Sequence, residues 1–62
     1  MTVVEVIKRG GGSMEAVDVA HALRVRLETA YAALVQAYDE GLLQISVVHN
    51  GHLRTRFWEL TT

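Results

Sequence analysis

Residues 16–43, AVDVAHALRVRLETAYAALVQAYDEGLL, decide the fold. Ala16, Val19, Ala20 and Leu23 fall at i, i+3, i+4 and i+7, which is one face of a helix. Asp18 and His21 sit off that face. Arg24-Val25-Arg26 breaks the period and reads as a short turn. From Leu27 to Glu40 the helical spacing resumes, with Ala30, Ala33, Leu34, Ala37 and Tyr38 on the inward side. The alanines are small enough to let two helices approach closely. Gly41 stands where a left-handed residue ends a helix. Helices are therefore expected over 16–23 and 27–40.

Upstream, Thr2 and Glu5 have the spacing of a capping box, in which a hydroxyl and a carboxylate three residues apart satisfy each other's backbone N–H. The β-branched run Val3, Val4, Val6, Ile7 would also suit a strand. Its adjacent pairs lack two-residue alternation, so a helix over 3–9 is expected. Lys8 and Arg9 suit the negative end of that helix, and Gly10 to Gly12 stop it. A phosphate-cradling loop is the alternative use of three glycines, but no GK[ST] follows.

Downstream, Asn50-Gly51 is a favoured type I′ turn pair between stretches rich in β-branched and aromatic residues, 43–49 and 52–60. With those two residues at the turn centre, His49 is expected opposite His52, Val48 opposite Leu53, Val47 opposite Arg54, Ile45 opposite Arg56 and Leu43 opposite Trp58. A different pairing would count against this reading.

The chain has 62 residues, room for one domain spanning 1–62. A domain this small buries only about 60% of its unfolded surface, so its stability margin is thin. There is no cysteine, which removes disulfides and thiolate metal sites. Half of the residues are apolar, which argues against a disordered tail. No apolar run approaches the roughly 20 residues of a membrane span, and none looks like a signal peptide. A cytoplasmic protein is therefore the default expectation; a piece of a larger protein is the alternative, and Met1 and the compact layout favour a complete small one.

Helix, glycine break, helix, short turn, helix, glycine and hairpin, in that order, resemble the winged helix-turn-helix family of DNA-binding proteins. The resemblance covers essentially the whole chain and is most specific over Ala16–Leu43. The ending Phe57-Trp58-Glu59-Leu60 resembles the aromatic-aromatic-x-Leu close of many wings. In length the chain is also similar to the small PapI-type regulators of fimbrial operons. The resemblance implies an α+β fold, a three-helix core with a C-terminal β-hairpin wing, and a short strand at Ser13-Met14 pairing with the wing. It also implies that the third helix enters the major groove of double-stranded DNA while the wing touches the backbone or minor groove. Carried onto this chain, the base-reading candidates are Arg26, Glu28, Thr29, Tyr31, Ala32 and Val35. One departure stands out: no Lys or Arg lies between Leu27 and Glu40. Positive charge reaches this helix only through Arg24 and Arg26.

Arg54 and Arg56 lie two residues apart and so share one side of a strand, with His52 continuing the row toward the tip. Such a row on an overhanging tip suits phosphate contact; the alternative use is to keep a hairpin soluble and unpaired. Trp58 and Leu60 have the same parity and belong to the core, where Met14 also fits. His49 and His52 fall short of the four ligands of a structural zinc site. Asp39 and Glu40 project about 100° apart on a helix and have no catalytic partner. Neither a cofactor nor a small-molecule substrate is indicated, and an enzyme is not expected. Leu27, Tyr31 and Val35 form a second apolar stripe; Tyr31 and Val35 are expected to be partly exposed and to meet DNA or another chain, in a homodimer or a different partner, while Leu27 has the alternative of being tucked under the second helix. The formal net charge of −1 argues against a generic polyanion binder. Two functions stay open: a small DNA-binding transcriptional regulator, and a winged-helix protein-interaction module that does not bind DNA.

Overall fold

Thr2 begins the first helix as its neighbours require. Its hydroxyl accepts from the Glu5 N–H at 3.2 Å, and the Glu5 carboxylate accepts from the Thr2 N–H at 3.4 Å. The computed structural model describes residues 1–61. Among them it contains α1 (Val3–Arg9), β1 (Ser13–Met14), α2 (Ala16–Leu23), α3 (Leu27–Asp39), β2 (Leu43–Asn50) and β3 (Leu53–Leu60). The architecture is α+β: three helices and a three-stranded antiparallel sheet in the order β1-β3-β2. No helix among the described residues is long and apolar enough to cross a membrane.

All three helices end with the same pair of backbone bonds, closed by a left-handed residue. At α3 the N–H of Leu42 donates to the Ala37 carbonyl and that of Gly41 to the Tyr38 carbonyl, both at 3.0 Å, with Gly41 at φ 80°. At α1, Gly12 and Gly11 donate to Ile7 and Lys8. At α2, Val25 donates to Ala20 and Arg24 to His21, so the left-handed residue is an arginine, at φ 57°. An L-residue with a Cβ pays a steric cost in that region that glycine does not.

The core is one cluster: Val3, Val6 and Ile7 of α1, Val19 and Ala20 of α2, Ala30, Leu34 and Ala37 of α3, Leu43 of β2 and Trp58 of β3. Met14, Ala16, Leu23, Ala33 and Leu60 pack against it, half-buried. These are the faces that helical spacing marks out. Tyr38 is an exception, since it is 47% exposed and not inward-facing. Its position on the flank of α3 leaves one edge against Trp58 and the rest in solvent.

The hairpin corrects the expected register. Asn50 pairs with Leu53, His49 with Arg54, Val48 with Thr55, Val47 with Arg56, Ile45 with Trp58 and Leu43 with Leu60. The turn centre is therefore Gly51-His52, not Asn50-Gly51, and His49 and His52 do not face each other. Gly51 is at φ 64° and His52 has no positive φ. Glycine in the first central position alone is the type II′ arrangement, which needs only one left-handed residue. The base of the hairpin explains the choice. The expected register would set Leu60 opposite Gly41, whereas the observed one pairs Leu60 with the buried Leu43. A shift of two residues keeps every side chain on its face, so the division into two faces stands although the partners change.

Replacing Arg24 with glycine should raise stability by about 0.5–1 kcal/mol, and Gly41→Ala should lower it by about 1 kcal/mol. Thermal unfolding would register each as a shift of roughly 4–8 °C per kcal/mol for a domain of this size. No change at either position would mean that neither residue is held left-handed in solution.

Candidate nucleic-acid interface

Strand alternation sets Arg54, Arg56 and Trp58 on one face of β3. Across β2 their partners on that face are His49, Val47 and Ile45. At the base of this row Trp58 is only 2% exposed. Tyr31 and Tyr38, about two turns apart on α3, meet the indole edge-on, with ring centroids 5.6 Å and 6.4 Å away. One pair nearer the tip, Arg56 Nη1 donates to the Tyr31 hydroxyl at 2.7 Å.

These contacts frame a cleft of about 380 Å³ between the start of α2, α3 and the hairpin. It is lined by Ala16, Tyr31, Val47, Arg54, Arg56 and Trp58. Two of those side chains are cationic and none is acidic, so the cleft is locally positive in a chain of net charge −1. The Arg56 guanidinium is held by a hydroxyl and not by a carboxylate. Arg26, in contrast, faces the Glu28 carboxylate at 3.7 Å, an exposed pair of little energetic weight.

The ten expected site residues, Arg24, Arg26, Glu28, Thr29, Tyr31, Ala32, Val35, His52, Arg54 and Arg56, are all exposed. Tyr31, Arg54 and Arg56 come together in the cleft. Glu28, Ala32 and Val35 lie on the side of α3 opposite its buried stripe. Arg24 and Arg26 flank the turn into α3 and do not line the cleft. His52 is a turn residue rather than the last member of the arginine row. Of the apolar stripe, Tyr31 and Val35 are each 38% exposed, as expected, and Leu27 is more exposed still. Ala16, Val47 and the Tyr31–Arg56 bond are additions. Val47 shares the parity of the arginines' strand partners and was legible; Ala16 reads only as a core residue of the second helix.

The opposite flank of α3 borders a second hollow, a groove of about 420 Å³. Its apolar lining includes Val3, Val4, Leu23, Ala33 and Leu42. Among the described residues, no three His, Asp or Glu side chains gather as metal ligands would. No protein-family model and no curated protein matches the chain in sequence.

Trp58 is the only tryptophan, so its fluorescence reports on this site alone. Tyr31→Phe should keep the emission maximum, because the ring stays against the indole, and should lose about 0.5–1.5 kcal/mol of stability with the Arg56 bond. Tyr31→Ala should shift the emission to longer wavelength as water reaches the indole. Identical spectra for the two variants would show that Tyr31 does not cover Trp58.

Proposed function

We propose that the chain is a winged-helix DNA-binding domain acting as a small cytoplasmic transcriptional regulator, not an enzyme. The observation that carries the reading is the cleft. Arg54 and Arg56 of the hairpin and Tyr31 of α3 converge on it, so a helix and a basic strand can engage one ligand together.

In this reading α3 lies in the major groove. Glu28 accepts from a cytosine amino group, Thr29 bonds a base edge, and Ala32 and Val35 pack on thymine methyls. Arg54 and Arg56, with His52 at the turn, contact phosphates and set the position of α3. Arg24 and Arg26, at the N-terminal end of α3, add phosphate contacts where the helix dipole also favours an anion. The left-handed Arg24 supports the assignment, since non-glycine residues kept in that region cluster at functional sites. The low overall charge implies modest affinity for random sequences, because nonspecific binding is mostly phosphate neutralisation.

A second reading, a protein-interaction module that does not bind DNA, is favoured by the apolar groove beside α1 and by the net charge of −1.

Salt titrations against a pool of random duplexes and a selected duplex separate the two. Binding to DNA should weaken steeply with salt, because each neutralised phosphate releases a counterion. Arg54→Ala/Arg56→Ala should weaken binding to every sequence and reduce the log–log salt slope by about 2. Val35→Ala should weaken the selected duplex and leave the random pool unchanged. Failure to retain any duplex even at low salt would remove the DNA reading. Equal slopes for wild type and the double mutant would take the hairpin off the phosphates.

A further inference from the structure

The two edges of the sheet are treated differently. β1 is only two residues long, and a short edge strand offers little to pair with. β2 forms the other edge over the eight residues Leu43–Asn50, about 27 Å of extended chain. Its sequence, LQISVVHN, has no proline and no Lys, Arg, Asp or Glu. Its register with β3 runs unbroken from Leu43 to Asn50, so no bulge twists the edge away. Every ladder bond of β2 goes to β3, and among the described residues no other backbone group hydrogen-bonds to its outward edge. Ile45, Val47 and Val48 are exposed on the same strand. Length, charge, proline and bulges are the usual means of blunting an edge, and β2 uses none of them.

We propose that β2 pairs antiparallel with β2 of a second copy, joining two sheets into one of six strands. The partner is a second copy because this edge complements itself. A twofold axis normal to the sheet reverses the strand direction and keeps each face on its own side. Residues opposite each other must then have the same parity, which allows registers centred on Ser46 or on Val47. In the first, Ile45 meets Val47 twice; in the second, Val47 meets itself. Both bring β-branched side chains together. No charged pair is opposed at the seam: Arg54 and Arg56 stand one strand further back on β3. A single eight-residue seam is smaller than the roughly 800 Å² per partner of a standard interface, so the dimer is a weak one. This pairing does not depend on the DNA reading.

Sedimentation equilibrium of the whole chain over a concentration series tests it, together with single cysteines introduced into a cysteine-free background. The expected result is a monomer–dimer equilibrium that does not weaken between about 0.1 and 0.5 M salt, since no ion pairs are involved. Val48→Lys should weaken it at least tenfold while the far-ultraviolet circular dichroism is unchanged. Under mild oxidation Ser46→Cys or Val47→Cys should form a disulfide dimer, because facing Cα atoms of an antiparallel pair are about 4.5–5.5 Å apart. Thr55→Cys, on the central strand, should not. Should Val48→Lys fail to fold, the cysteine pattern alone decides. A chain that stays monomeric at about 1 mM, or a dimer that cross-links through Leu42→Cys in the groove and not through β2, would overturn the proposal.

Discussion

Trp58 is where the helices and the sheet are tied together. It sits on the central strand, opposite Met14 of β1 and Ile45 of β2, and two tyrosine rings from α3 stand perpendicular to it. Each edge-to-face contact of this kind adds about 0.5–1.5 kcal/mol beyond the area it buries. Among the described residues Trp58 is the largest of the fully buried side chains. Because the base of the hairpin is anchored there, its other end extends past the helices, and Val48 and Leu53 are left in solvent.

The same anchor sets the reach of the arginines. Arg56 and Arg54 follow Trp58 toward the tip at two-residue steps, about 6.8 Å each along the strand. Arg56 is thereby brought to the Tyr31 hydroxyl. A neutral acceptor orients the guanidinium without cancelling its charge, and a side chain already ordered loses less entropy on binding. Tyr31 therefore has two roles: its ring edge packs on the indole and its hydroxyl positions a cation. Charge is arranged locally, so the net value of the chain says little about what the cleft attracts.

α3 divides the remaining surface. One flank faces the hairpin and carries the aromatic and cationic groups; the other borders the apolar groove beside α1. Arg24, held left-handed at the turn into α3, is the one non-glycine residue in that conformation among those described. A glycine would be easier on the backbone there, but it would remove a cation from the approach to the helix.

The sequence by itself determined the helices. The Thr2–Glu5 box, the i, i+3, i+4 stripes and the glycine at the end of α3 are local signals, and local hydrogen bonds enforce them. It also determined which residues of the hairpin share a face, since parity survives a two-residue shift. Register was decided by tertiary structure. Asn50-Gly51-His52 is compatible with two turn centres, and the choice was made at the far end of the hairpin, where Leu60 gains the buried Leu43 as partner. Tyr38 departs from the inward-facing expectation for a related reason: its helical angle lies at the margin of the buried stripe, and the position of Trp58 decides how much of it is covered. The bond between Tyr31 and Arg56 joins residues 25 apart in the chain. No local pattern encodes such a contact, because it exists only once strand register and helix packing have both been set.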